Sequence, residues 1–375
     1  MSVVRKVLVI GGGFSGTSAA IQMRKAGIEV DLVEIDPGWR SYGAGITLNG
    51  ATLRALGEVG VLPQIMTQGA CCDGVEIYTA DGHKLAELPT PRLAGPDVPG
   101  GGGIMRPVLA RILAEATRRL GTHVRLGCHA TSIDQQQESV EVSFNDGTRA
   151  SYDLVVAADG VRSRTRDDFF PSAPKPFYTG QGVWRAVVPR PKEVQRPCLY
   201  MGARVKAGVN PVSHSSMYLF LTEDRPTNTH VKDDELLPQL RALLDEFTAA
   251  VPLHVRSALS SESHIVFRPL DALLVPEPWY QDRVVLIGDA AHSSTPHLAA
   301  GAGMGVEDAI VLAQELQSAT SLGQALANFQ RRRWPRCRLV VENSVRLGEI
   351  EQTGGSKEEH ANIMRASMMA MAAPY

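Results

Sequence analysis

The run Val7-Leu8-Val9-Ile10-Gly11-Gly12-Gly13-Phe14-Ser15-Gly16 decides the fold. Four apolar residues read as a buried strand, the glycines as a tight turn, and residues 17–26 as a helix closed by Gly27. Ile28, Val30 and Leu32 then alternate with Glu29 and Asp31, so residues 28–34 form a second strand. Strand, glycine turn, helix and strand make a βαβ unit, which commits the chain to an α/β fold with a parallel sheet. Gly11 permits the turn, Gly13 lets the backbone approach a pyrophosphate, and Gly16 allows the helix to pack on the strand. Phe14 and Ser15 sit at the helix N-terminus, whose free N–H groups and dipole suit phosphates. Glu34 ends the second strand about 20 residues after Gly11, where a carboxylate can hold ribose hydroxyls. The bland alternative is a glycine-rich turn with no ligand.

Outward from this unit, residues 52–59 read as a helix stopped by Gly60. From Cys71 the pattern changes to short strands: 75–79 leads into an Asp81-Gly82 turn, and 89–103 is a loop of proline and glycine. Residues 107–120 form an amphipathic helix. Residues 140–144, the turn Asn145-Asp146-Gly147 and residues 152–158 make a hairpin whose second arm is nearly all apolar. Strands are expected at 183–188, 199–201 and 217–221, one helix at 235–250, and a buried strand at 284–287. Helices follow at 303–318 and 322–351. The layout is a nucleotide-binding α/β domain (1–70, 101–170 and 265–320) interrupted twice by β-rich pieces (71–100 and 171–264). A C-terminal helical segment (321–375) completes it.

A chain of 375 residues exceeds what one core usually fills, in keeping with this two-part layout. The net charge of −2 supplies no general attraction to nucleic acid or anionic membrane. The apolar run 7–10 is too short for a signal peptide, and no run reaches the ~18–20 residues of a spanning helix. The apolar tail 366–373 reads as a helix packed on the body or on a partner subunit. Cys71, Cys72, Cys128, Cys198 and Cys337 form no C-x-x-C pair, which fits a reduced, cytoplasmic setting. A homodimer is expected as the commonest assembly.

Two further motifs lie at the ends of apolar strands, where ligands sit in open α/β sheets. They are Asp159-Gly160-Val161-Arg162-Ser163-Arg164-Thr165-Arg166 and Gly288-Asp289-Ala290-Ala291-His292. A carboxylate at such an edge can accept hydrogen bonds from the ribityl hydroxyls of a flavin; either motif alone reads equally as an Asp-Gly turn or a helix cap. Taken with the first glycine motif, and with Glu34, Arg40, Gly43-Ala44-Gly45-Ile46, Arg106, Pro296, Gly301-Ala302-Gly303-Met304 and Glu307-Asp308-Ala309, they carry a resemblance over nearly the whole chain. It resembles the class A flavoprotein monooxygenases of the para-hydroxybenzoate hydroxylase type.

That resemblance implies a Rossmann-like FAD-binding domain, a discontinuous β-rich substrate domain and C-terminal helices. It implies that Gly11, Gly13, Gly16 and Glu34, with Phe14, Ser15 and Arg40 in the same region, hold the ADP half of FAD. Arg106 would reach the flavin's phosphate and ribityl region, Asp159 the pyrophosphate, and Asp289 the ribityl chain. Pro296 would lie beside the reactive face of the ring. The N–H groups of Gly301, Ala302, Gly303 and Met304 would meet the pyrimidine edge, where reduction places negative charge. Where many relatives carry Gly-Gln-Gly after the proline, this chain has His297-Leu298-Ala299-Ala300. His297 is therefore a candidate base toward a phenol, the alternative being a hydrogen bond within the loop. His292 reads as structural.

The implied reaction takes a hydride from NADH or NADPH, adds O2 to give a flavin C4a-hydroperoxide, and hydroxylates a small aromatic or heteroaromatic ring. Thr47, Trp184, Arg185, Met201 and Tyr218 are the candidate substrate contacts, with plain sheet packing as the alternative for each. A halogenase would show Trp-x-Trp-x-Ile-Pro, which the stretch Trp184-Arg185-Ala186-Val187-Val188-Pro189 does not match. A reductase on the same fold and a non-catalytic flavin-binding protein are compatible with the same motifs. His292 and His297 raise a metal reading, but no third ligand falls nearby and no cysteine joins them, which makes that reading weak. The basic run 331–338 reads as a solvated helix junction.

Overall fold

The computed structural model describes residues 2–375. Its centre is a six-stranded sheet in the order Tyr280–Gln281, Val284–Leu286, Leu154–Ala157, Lys6–Ile10, Glu29–Glu34, His123–Leu126. All neighbours are parallel except the first pair. Val7, Leu8 and Val9 are fully buried, as a central strand covered on both faces requires. The same rule corrects the expected hairpin. Val140–Phe144 pairs with Arg149–Tyr152 and Ala130–Gln135 in a separate three-stranded sheet. The wholly apolar Leu154–Ala157 instead pairs parallel with Lys6–Ile10, where both its faces are covered.

A seven-stranded sheet runs Ile265–Ala272, Phe177–Pro189, Ser216–Asp224, Lys206–Pro211, Cys198–Met201, Val75–Thr79, Lys84–Leu88. Residues 265–272, expected with the nucleotide part, thus form an edge strand of this sheet. The expected helix 235–250 is two helices, Asp233–Leu244 and Ala250–Ala258, the second admitting Pro252 in its first turn. They cover one face of the sheet, on which Trp184, Ala186, Leu219 and Leu221 pack against Leu240, Leu244 and Val255. Register places Arg185 beside Phe220, Val187 beside Tyr218, and Tyr218 beside Asn210 on the other face. That face meets a small sheet of Gly45–Asn49, Gly101–Met105 and Ala70–Cys72. The substrate candidates are therefore sorted by a strand period of two.

Helix Gly301–Ser318 packs against Phe14–Lys25 and against the 32-residue helix Leu322–Thr353. The final helix, Lys357–Ala372, is pinned at its C-terminal end. Arg54 donates to the carbonyls of Met371, Ala372 and Ala373, and Arg336 donates to those of Ala370, Met371 and Ala373. The basic run is thus no solvated junction: Arg333 is fully buried and Arg336 nearly so. Residues with their register fall on the helix's inner face, where two carboxylates await them. Among the described residues no helix is long and apolar enough to cross a membrane.

Candidate active site

The glycine turn has the shape its sequence requires. Gly11 has φ 103°, and a Cβ there would collide with the Ala158 carbonyl oxygen; a Cβ on Gly16 would collide with that of Gly11. Around Gly13, by contrast, nothing lies within 4 Å of the Cβ position, so a phosphate can approach the backbone. Ser15 Oγ packs against Gly288 and Gly305, bringing the first and third motifs together. Glu34 accepts from the N–H groups of Gly12 (2.7 Å) and Asp36 (2.8 Å), bracing the turn. Arg40 is 60% exposed and pairs with Asp36, which places its guanidinium on the acidic loop rather than at the turn.

Asp159 spends its carboxylate on its own loop, accepting from the Ser163 hydroxyl and from the Thr165 N–H and hydroxyl. Arg166 at the end of that motif is buried and donates to the carbonyls of Val161 and Ala290. It ties the second motif to the third, a role that its position in the motif foreshadowed without specifying a partner.

Asp289 and Arg106 lie within the protein mass, yet their side chains are open to solvent, so they line an internal chamber. Burial pushes the Asp289 carboxyl up, against the pull of His292 and Arg106. Burial likewise pushes the Arg106 guanidinium down, offset by Asp289. Arg106 lies 4.8 Å from the Phe14 ring centroid, over the glycine motif. Pro296 is exposed into the same region and opens a short 3-10 turn, Pro296–Leu298. Ala299 follows with φ 49°, and helix Gly301–Ser318 begins with no side chain capping it. The N–H groups of Gly301, Ala302 and Gly303 are thus those a helix leaves free. Gly303 packs on Thr52, and the Met304 carbonyl accepts from Arg333.

These features fit FAD. An open glycine turn, a lone carboxylate facing a lone guanidinium, and an uncapped helix start suit phosphates, ribityl hydroxyls and a flavin edge respectively.

Of the substrate candidates, the structure brings three together. Thr47 and Tyr218 share a hydrogen bond, and Asn210 Nδ2 donates to Thr47 Oγ1 at 3.0 Å. Arg185 lies on the same sheet face, and among the described residues it makes no hydrogen bond or ion pair. Burial pushes its guanidinium down, and the neighbouring charges of Arg106 and Arg268 push it further, against Tyr218. Trp184 is corrected: alternation turns it to the opposite face, fully buried, with Nε1 donating to Glu223 and its ring 4.8 Å from that of Phe267. Met201 shares the register row of Lys206 but sits 43% exposed at the strand end. Sequence reasoning missed Asn210, whose strand lacks clear alternation, and Phe220, whose ring lies over Gly208.

His297 points away from solvent toward the long helix. Its Nδ1 lies 2.9 Å from Thr295 Oγ1, and Nε2 lies 3.5 Å from Glu351 Oε2. His292 is structural, with Nε2 2.6 Å from Asp308 Oδ2. Asp308 also accepts from the Gly288 N–H (2.8 Å) and Arg333 Nε (2.7 Å), while Glu307 accepts from Arg333 (2.8 Å) and Arg336 (2.9 Å). The expectation that no cysteine joins His292 is also corrected, since Cys337 lies beside His292 and Asp308. Distance in sequence had hidden it. A metal is nonetheless disfavoured there, because the Arg333 guanidinium already contacts Asp308 and Cys337.

Residues 5–344 match the family model described as FAD binding domain. The chain is 31% identical over 348 residues to 2-heptyl-3-hydroxy-4(1H)-quinolone synthase of Pseudomonas aeruginosa, covering 92% of this chain and 89% of that one. It is 28% identical to 6-hydroxynicotinate 3-monooxygenase of Bordetella bronchiseptica, covering 87% and 86%. Among solved structures, HpxO of Klebsiella pneumoniae complexed with FAD and uric acid superposes with a TM-score of 0.83 at 24% identity, covering 99% of this chain and 97% of that one.

Proposed function

The chain belongs to the FAD-binding-domain family of flavin-dependent monooxygenases, and from that premise we propose that it hydroxylates a small, anionic heteroaromatic ring with NADH or NADPH as a visiting reductant. The observation that carries the substrate class is Arg185. Its half-buried guanidinium lies on the inner sheet face with no carboxylate facing it, and burial pushes it down, so a ligand's negative charge would be its natural partner. A ring bearing a carboxylate or an ionised hydroxyl meets that need.

Gly11, Gly13, Gly16, Arg106, Asp289 and the start of helix Gly301–Ser318 would hold the FAD. When bound, FAD supplies the electron transfer and the oxygen activation that no side chain can. The protein orients the ring. Arg185 holds its anionic group, and the Tyr218 hydroxyl, fixed by Thr47 and Asn210, offers a hydrogen bond. By their names one relative acts on a hydroxynicotinate and the other makes a hydroxyquinolone, which sets the ring classes to test first. A reducing, cytoplasmic setting for the five free cysteines belongs to the same reading.

The test is NADH and NADPH oxidation by the FAD-loaded protein across hydroxypyridine carboxylates and hydroxyquinolones, with oxygen use and peroxide followed together. A product heavier by one oxygen with little peroxide supports the reading. Arg185→Met should then raise KM about 10-fold or more, the worth of a charge-assisted contact. A KM unchanged from the wild type in both Arg185→Met and Tyr218→Phe would refute the placement.

A further inference from the structure

Trp39, in the loop after Glu34, has φ 46°, the left-handed region in which a bulky residue is strained. A tight turn holds it there. The Trp39 N–H donates to the Asp36 carbonyl (3.0 Å), and the Asp36 carboxylate accepts from the N–H groups of Gly38 (3.0 Å) and Arg40 (2.9 Å). The turn that draws the Arg40 guanidinium to Asp36 also delivers the indole to the glycine motif, where Nε1 donates to the Gly12 carbonyl at 2.9 Å. Arg118, exposed at the end of helix Arg106–Arg119, lies 4.7 Å from the indole centroid. The indole belongs to a half-buried residue, so part of its surface stays open.

Gly12 shows that this seat is built into the sequence. It occupies a variable position of G-x-G-x-x-G, and its φ is not left-handed, so its backbone does not call for glycine. Space does. A Cβ on Gly12 would collide with Trp39 Nε1 and would lie 3.0 Å from Glu34 Oε2. The indole and the Glu34 carboxylate therefore flank one spot. Phosphates fit at the open backbone of Gly13 and a ribose at Glu34, so the dinucleotide continues outward past the indole with its purine.

We propose that Trp39 recognises the adenosine half of FAD, its indole giving the purine an aromatic surface while Arg118 braces the ring. An aromatic side chain suits a purine because the base offers a π face to stack on. The strained backbone persists because its surroundings over-determine it: the Asp36 turn, the Gly12 carbonyl and the guanidinium beside the ring. The assignment concerns which flavin the chain keeps, FAD over FMN, and stands whatever ring is hydroxylated.

The experiment dilutes full-length protein loaded with FAD or with FMN and follows flavin fluorescence as the cofactor leaves. The wild type, Trp39→Ala and Trp39→Phe are compared, and a protein recovered without flavin is titrated with each flavin instead. FMN ends at its single phosphate and does not reach the loop. Loss of the aromatic surface should raise the FAD dissociation constant about 10-fold or more in Trp39→Ala and leave that for FMN within about 2-fold. Trp39→Phe keeps an aromatic face and loses the bond to Gly12, so FAD should weaken by about 3-fold or less. Neither replacement removes the Asp36 hydrogen bonds that shape the loop. An FAD constant unchanged in Trp39→Ala overturns the assignment. So does an FMN constant that rises as much as that for FAD, which would make the indole a brace for the phosphate turn. Equal losses in Trp39→Phe and Trp39→Ala overturn it as well, because the hydrogen bond to Gly12 alone would then account for them.

Discussion

Replacing Arg333 with methionine tests whether the buried charge cluster organises the flavin loop. Arg333 is fully buried, as are Glu307 and Asp308, and its guanidinium spans Asp308 (2.7 Å), Glu307 (2.8 Å) and the Met304 carbonyl (3.2 Å). Breaking a buried pair by removing one partner costs about 3–5 kcal/mol, because the remaining charge is left uncompensated. Here each carboxylate keeps a second partner, Asp308 with His292 and Glu307 with Arg336, so the low end, about 3 kcal/mol, is expected. An unfolding entropy of ~2.1 cal/mol/K per residue gives about 0.8 kcal/mol/K for 375 residues, hence a Tm lowered by about 4 °C. Calorimetry on the FAD-loaded protein measures it. Adding Asp308→Asn to Arg333→Met should return part of the loss by removing one stranded charge. Flavin affinity should fall too, because Asp308 holds the Gly288 N–H and Arg333 holds the Met304 carbonyl on either side of the chamber. A Tm within about 1 °C of wild type would refute the reasoning, since it would fall well short of the entropy-scaled shift.

Three more outcomes follow from the same structure. Burial opposes a charged His292 ring, but Cys337 and Asp308 outweigh it and raise its pKa well above the ordinary value. Its contribution to stability is therefore complete below about pH 6.5 and lost as pH rises through the raised folded value, so Tm should decline on the alkaline side and more shallowly in His292→Gln. Gly16→Ala drives a Cβ into the Gly11 carbonyl oxygen, which no side-chain rotation relieves; the purified protein should carry little flavin by absorbance. Deleting residues 370–375 removes the carbonyl acceptors of Arg54 and of Arg336, which keeps only Glu307, and hydrogen bonds to charged groups are worth ~1.5–3 kcal/mol each. Urea unfolding should register a loss of at least about 2 kcal/mol on that scale.

Some of this was legible from local pattern because its physics is local. The glycine turn, its helix and strands 6–10 and 29–34 follow from backbone sterics and apolar periodicity over a few residues. Leu154–Ala157 was recognisable as a buried strand, but its partner was not, since pairing depends on which neighbour covers both faces. The Asp159 motif announced a loop at a strand end. Only the fold showed that the carboxylate closes its own turn while Arg166 reaches across to Ala290.

The sequence by itself determined the class of cofactor site, the α/β plan and the residues around the glycine turn, because each is set by spacing along the chain. Tertiary structure decided the rest. It chose the face of each sheet residue, turning Arg185 inward and Trp184 away, and it joined His297 to Glu351 and His360 from helices beyond residue 321. It also turned Arg333 and Arg336 of the run 331–338 inward, because a helical period aligns them with Glu307 and Asp308 only once the helices pack. Burial and charge pairing are properties of the packed body, and no local pattern encodes them.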